Sequence, residues 1–382
     1  MKIICVTGTR ADYGIYRPLL RELNNDDEVN LQVIVTGMHV LDEYGKTYIE
    51  MEKDSLPIIS KPLILFKGDS TRAMSLAVGV AILYFADLFS FHEPDFVLLL
   101  GDRGEMMAAS IAAHYQNIGI LHLHGGERSG SADNAIRHAI TKLAHIHFVS
   151  TVEAKRNLLA LGEEEWRIFP VGSLRKIEMA ELKKIDETVK RMWEKKYSLS
   201  LYRKRMLVVM HPDSTETISF AEQIDSLLKA LEYFPRVQKI IVGANSDAGG
   251  ELFNERLIKF AERHASAYFY PSIPSLEYLY LMSVVDCIVG NSSSGIIEAP
   301  FFQLPAINIG SRQEHREHGG NVVNVPYDAK EIKLALQKLF SGKMKLSFHN
   351  PYDLVDRPDK EIVKIIKSLC NDETLRKKRL QP

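Results

Sequence analysis

The chain has 382 residues, 46% of them apolar and 25% charged, which is too long for one core of about 100–150 residues and too apolar for disorder, so two packed domains are expected. Its 48 basic and 49 acidic residues leave a net charge of −1, which argues against nucleic acid or an anionic membrane as partner.

The opening MKIICVTGTR reads as a first strand rather than a leader, because a Gly-containing turn follows the apolar run at once. Lys2 to Thr7, Leu31 to Val35, Asp95 to Leu100, Ile120 to His122 and Ile146 to Val149 read as strands. Helices begin near Asp12, Arg72, Arg103 and Asp133 in the segments between them. Such alternation predicts a parallel sheet covered by helices on both faces. From Ser173 to Arg205 the chain is charged and strand-free, which suits a helix and a linker. A second alternation then places strands at Met206 to Met210, Lys239 to Val242, Tyr268 to Tyr270, Cys287 to Val289 and Ala306 to Ile309. The expected domains are 1–172, 173–357 and a C-terminal helix within 358–382. Cys5, Cys287 and Cys370 lie far apart, the first two inside strand-like runs, so no metal spacing appears. No uninterrupted apolar run approaches the roughly 20 residues of a spanning helix, and a cytoplasmic location is expected.

In doubly wound sheets ligands sit at the carboxyl ends of the strands, so the strand-end loops carry the functional reading. The first is Gly8-Thr9-Arg10-Ala11-Asp12-Tyr13-Gly14, an anion site in outline, where Arg10 either forks onto a phosphate or pairs with Asp12 across a capped turn. It is neither a dinucleotide fingerprint nor a P-loop, which removes support for a nicotinamide cofactor. The second strand ends in Thr36-Gly37-Met38-His39 and the third in Gly101-Asp102-Arg103-Gly104-Glu105. There Asp102 is a helix cap or a base made stronger by partial burial. The fourth loop, His122-Leu123-His124-Gly125-Gly126-Glu127-Arg128-Ser129-Gly130, is followed by Asp133, Arg137 and His138. It gathers acid, base and hydrogen-bond donor, with both imidazoles on one face if the strand continues. In the second half His211-Pro212 ends one strand, and Gly290-Asn291-Ser292-Ser293-Ser294-Gly295 leads into a helix containing Glu298. Hydroxyls and amides at that junction suit a diphosphate, and Glu298 suits either a ribose or the helix dipole.

Taken in order, these loops and Ile136-Arg137-His138-Ala139-Ile140-Thr141-Lys142 resemble the UDP-N-acetylglucosamine 2-epimerase family, in its hydrolysing branch. The resemblance implies two Rossmann-like doubly wound domains facing a central cleft, the glycosyltransferase-B architecture, and no redox cofactor. It implies Asp102, Glu127, Asp133, His124 and His211 as catalytic residues, His211 beside the leaving diphosphate. Arg10, Tyr13, His39, Arg103, Arg137, His211, Ser292, Ser293, Ser294 and Glu298 would hold the UDP-sugar. Where the family often has a glutamate two residues before the paired glycines this chain has His124, so Glu127 or His124 itself replaces it.

The implied reaction removes the C2 proton of UDP-N-acetylglucosamine, expels UDP to leave a glycal, and adds water to release N-acetylmannosamine for sialic acid synthesis. At least one of the carboxylates should be substantially buried, because an ordinary one matches so weak a carbon acid poorly. The same chemistry on UDP-2,4-diacetamido-2,4,6-trideoxyglucose, in the legionaminic acid pathway, is the nearest alternative. A glycosyltransferase of the same architecture and a non-catalytic nucleotide-sugar binder are the others. A homodimer is implied by the resemblance, with the apolar segment Met74 to Leu88 able to cover a partner.

Overall fold

The computed structural model describes the whole chain apart from residues 67–69, 129–132, 246–247, 370–373, 376 and 379–382; Cys370 therefore lies outside the described residues. The chain divides into two compact units. The first runs from Met1 to Arg128 and from Asp133 to Ile177 and regains the chain at Pro351; the second spans Glu178–Asn350.

The first unit holds a seven-stranded parallel sheet of β1 (Lys2–Thr7), β2 (Asn30–Val35), β3 (Ile58–Ser60), β4 (Phe96–Leu100), β5 (Gly119–Leu123), β6 (Ile146–Val149) and β7 (Ile168–Pro170). Its order is β3-β2-β1-β4-β5-β6-β7. The second holds β8 (Arg205–Val209), β9 (Gln238–Val242), β10 (Ala267–Tyr270), β11 (Cys287–Gly290), β12 (Ala306–Ile309) and β13 (Val322–Val325), ordered β10-β9-β8-β11-β12-β13. The strand order reverses between β1 and β4 in one sheet and between β8 and β11 in the other. At such a reversal adjacent loops diverge to opposite faces and leave a crevice at the carboxyl ends. The Gly8, Gly101, His211 and serine loops all leave these four strands.

Both faces of each central strand are covered, which is why β4 and β5 are buried at every position and read as continuous apolar runs. Ile3, Cys5 and Leu98 pack on one face of the first sheet, and Ile4, Val6 and Val97 on the other. Sequence reading misses β3, β7 and β13. Each is an edge strand of three or four residues, too short and too solvated for periodicity to mark, and β7 ends in proline.

The first unit ends at Ile177 rather than at residue 172 because helix Arg175–Leu182 belongs to both. Its Met179 and Leu182 are buried with Leu207, Ile240 and Ile288 in the second unit's core. The return begins at Pro351, before residue 358. Helix Pro358–Leu369 then sets Ile362, Val363 and Ile366 in one cluster with Leu19, Leu20 and Leu23 of helix Arg10–Asn24. Beyond it Arg167, wholly buried, donates to the carbonyls of Thr374, Leu375 and Lys377.

Among the described residues helix Thr71–His92 is, by length and composition, apolar enough to cross a membrane, with a mean hydropathy of 1.8 over its best window. Ala77, Ala81, Phe85 and Phe89 form a buried stripe, the last three within the first unit's core. Leu76, Leu83 and Phe91 are exposed.

Candidate active site

The β1 turn is built around a capping box. Thr9 accepts a hydrogen bond from the Asp12 amide at 3.2 Å, and Asp12 Oδ2 accepts from the Thr9 and Gly8 amides at 2.9 and 3.3 Å. Thr9 is thus the cap and Asp12 its partner three residues on, which keeps the Asp12 carboxylate within the turn. Burial raises that carboxyl to about 6, Arg103 opposing and Glu105 adding. Gly8 admits the neighbouring loop: a Cβ there would stand 1.9 Å from Glu105 Oε1. Glu105 in turn accepts from Arg103 Nε at 2.8 Å.

From β4 the chain turns through Gly101, whose φ of 75° only glycine adopts readily, and presents Asp102. His122 of β5 donates from Nε2 to the Gly101 carbonyl at 2.8 Å and so fixes that turn. Burial holds the His122 imidazole neutral, down to about 3. Arg137, on helix Asp133–Leu143 and 2% exposed, donates to Asp102 Oδ2 and, at 3.0 Å, to the Glu127 carbonyl. Glu127, 5% exposed, accepts from Ser150 Oγ at 2.5 Å and meets His124 Nδ1 at 3.0 Å. Asp102, Arg137, Glu127, His124 and Ser150 therefore form one connected cluster at the ends of β4, β5 and β6. Asp133 heads the helix that carries Arg137.

In the second unit the β8 and β11 loops are tied together. The His211 amide donates to Asn291 Oδ1, and Asn291 Nδ2 donates back to the His211 carbonyl, both at 2.8 Å. The Asn245 amide donates to His211 Nδ1 at 3.2 Å, which leaves the ring proton on Nε2. The Asn291 carbonyl accepts from Arg312 and Gln313 at 3.2 and 3.0 Å. Gly290 permits this approach: its φ is 134°, and a Cβ would lie 2.0 Å from the Val209 carbonyl oxygen. Gly290→Ala is expected to destabilise the chain by about 1–3 kcal/mol, read by denaturant unfolding.

Against known proteins, the profile described as UDP-N-acetylglucosamine 2-epimerase matches residues 21–367. The chain belongs to that family. It is 38% identical to the UDP-N,N′-diacetylbacillosamine 2-epimerase (hydrolyzing) of Legionella pneumophila over 92% of both chains. It is 37% identical to the polysialic acid biosynthesis protein P7 of Escherichia coli, over 92% of this chain and 90% of that one. The crystal structure of UDP-GlcNAc 2-epimerase from Neisseria meningitidis bound to UDP-GlcNAc matches with a TM-score of 0.82 at 22% identity, over 96% of this chain and 100% of that one. The fold is thus two parallel-sheet α/β domains of glycosyltransferase-B type.

Within this epimerase-family chain, several residues expected against substrate lie elsewhere. Tyr13 is wholly buried in the core, and its hydroxyl is given to Asp54, which also binds Arg17 and Arg21. His39 is wholly buried, with Nε2 against Thr7 Oγ1 at 3.0 Å and Nδ1 against Thr47 Oγ1 at 2.7 Å. Burial and the Arg10 charge keep it neutral, down to about 3, so it braces the Gly8 turn from beneath. Arg137 binds Asp102 and the Glu127 carbonyl within the protein. The strand does not continue past Leu123, so His122 and His124 are not an alternating pair; the chain turns left-handed at His124. The helix after the serines is only four residues, Ser294–Ile297, too short for the dipole expected of it, and Glu298 follows it instead of lying inside. Ser294 is buried, its hydroxyl 2.6 Å from Tyr278 and 2.8 Å from Ser292. Ser292 and Ser293 are half-buried and Glu298 is buried.

Sequence reading assigned no role to Ser150, Asn245 or Asn291. Asn291 stood inside the Gly-Asn-Ser motif, a signal that could have found it. Ser150 had none beyond its place at a strand end. Among the described residues no group of three His, Cys, Asp or Glu side chains is arranged to hold a metal.

Proposed function

We propose that the chain is a hydrolysing UDP-sugar 2-epimerase that acts by C2 proton abstraction, loss of UDP to a glycal, and hydration. The observation that supports this most is the connected cluster of Asp102, Glu127, His124 and Arg137 at the carboxyl ends of β4 and β5. Inversion at C2 takes a proton from one face and returns one to the other, so it needs two acid–base groups. Asp102, Glu127, Asp133 and His124 supply them. Glu127 is the buried carboxylate that the chemistry calls for. Departing UDP needs donors. The second unit supplies candidates in His211 and the hydroxyls of Ser292 and Ser293, and Glu298 suits the ribose.

For the sugar, the Legionella pneumophila relative favours UDP-N,N′-diacetylbacillosamine, the 2,4-diacetamido-2,4,6-trideoxy sugar. The Escherichia coli relative favours the second reading, UDP-N-acetylglucosamine converted to N-acetylmannosamine for sialic acid. The test is incubation with each sugar nucleotide in deuterated water, followed by proton NMR. Free C2-inverted sugar deuterated at C2, together with UDP, is the expected result. Release of the unlabelled, uninverted sugar would point to a transferase hydrolysing its donor.

A cytoplasmic location goes with this reading, as does a homodimer. The exposed Leu76 and Leu83 lie seven residues apart on helix Thr71–His92, with Gly79 and Val80 between them on the same face. Leu83→Glu is expected to convert a dimer to monomers in sedimentation velocity; a wild-type monomer would remove the proposal.

A further inference from the structure

We propose that His124 is the group that accepts the C2 proton, held for that step by Glu127 and by Ser150, a residue outside the sequence motifs; the assignment rests on the 2-epimerase reading above. After Leu123 the chain leaves β5 and turns, with His124 at a φ of 61°. Non-glycine residues rarely adopt this conformation, and where they do they cluster at functional sites. The turn is pinned by the His124 amide, which donates to the Phe148 carbonyl of β6 at 3.0 Å.

The side chain is equally constrained. Glu127 Oε1 lies 3.0 Å from His124 Nδ1 and accepts from Ser150 Oγ at 2.5 Å. An ionised carboxylate only accepts, so the imidazole hydrogen sits on Nδ1 and the lone pair on Nε2. That Nε2 is buried and has no hydrogen-bond partner. His124 is 6% exposed. A buried ring nitrogen left unanswered in an otherwise bonded cluster points to a proton brought by a ligand. Two other candidates are committed differently: Glu127 Oε1 already faces two donors, and Asp102 is bound by Arg137.

The charged and titratable groups around His124 are Glu127 on its own turn, Arg137 from helix Asp133–Leu143, Asp102 from the β4 turn and His122 on β5. In the step, the C2–H bond breaks and its proton goes to Nε2. The released pair becomes the C1–C2 double bond, and the C1–O bond breaks to free UDP. The imidazolium formed is balanced by the Glu127 carboxylate, and Ser150 keeps that carboxylate turned toward it.

The test uses whichever sugar nucleotide the wild-type chain turns over, with kcat, KM, the pH profile and C2 deuteration as readouts. His124→Asn, which tolerates the left-handed backbone, is expected to lower kcat by about 100-fold or more with little change in KM. His124→Glu is expected to recover part of that loss and to shift the acid limb of kcat/KM, because the base is then a carboxylate set against the Glu127 carboxylate. Ser150→Ala, away from the strained turn, is expected to lower kcat severalfold and leave KM alone. Near-wild-type kcat in His124→Asn would overturn the proposal. So would equal impairment of the Asn and Glu variants with an unmoved acid limb, since that marks a structural role. A wild-type chain inert toward both sugar nucleotides would instead remove the epimerase reading, and this assignment with it.

Discussion

Asp102→Asn is expected to lower kcat by about 10²–10⁴-fold while KM changes little, because it removes a carboxylate proposed to act in proton transfer and keeps its shape. The residue stands where the sheet order reverses, on a turn that Gly101 makes possible and His122 fastens through the Gly101 carbonyl. Arg137 holds its side chain. With the charge gone, the guanidinium keeps an acceptor in the asparagine oxygen and its bond to the Glu127 carbonyl at 3.0 Å, so the loop should stay in place. Steady-state kinetics on the accepted sugar nucleotide, alongside a thermal melt, separate the two effects. Full turnover would take Asp102 out of the mechanism.

Glu163→Gln is expected to destabilise the chain by about 3–5 kcal/mol, the usual cost of removing one member of a buried charge cluster. This carboxylate is 1% exposed and meets Lys378 at 2.6 Å, with Lys142 and His147 each at 3.2 Å. Lys378 also donates to the carbonyls of Thr141, Lys142 and Ala144, at the end of the helix bearing Arg137. The variant therefore loosens the clasp by which the C-terminal segment holds that helix. In a thermal melt the loss should be on the order of 10 °C.

The same residue predicts a pH signature. Burial pushes the Glu163 carboxyl up, but hydrogen bonds from His147 and Lys378 and the Lys378 charge outweigh it and hold it at about 2, below the ordinary 4.5. A carboxyl depressed in the folded state contributes stability that is complete above the unfolded value and lost on acidification. Its contribution should therefore fade from about pH 4.5 to about pH 2. His122 and His145, kept neutral by burial down to about 3 and about 4, also cost stability as pH falls below 6.5. They do so in both proteins. The difference between wild type and Glu163→Gln should accordingly shrink as pH falls through the carboxylate window; an undiminished difference down to pH 3 would remove the assignment.

The central strands of both sheets and the order of the strand-end motifs were legible because local chemistry fixes them. Strands buried on both faces must be apolar throughout, and a turn at a strand end must use glycine, capping residues or both. That logic found Gly8, Asp102, Glu127, His211 and the serine turn without coordinates. It could not rank them, because a side chain's part in a site depends on what faces it. Tyr13 and His39 lie in the same motifs as Arg10, yet the fold spends their polar atoms on Asp54 and on two threonines. Ser150 lies 23 positions from Glu127 along the chain, but adjacent parallel strands deliver both to one edge of the sheet. Sequence by itself determined the two alternating halves, the family and the list of polar groups at the strand ends. Only tertiary structure decided which of those groups are buried and which bond within the protein, since burial and hydrogen-bond partnership are properties of neighbours that the fold, not the local sequence, supplies.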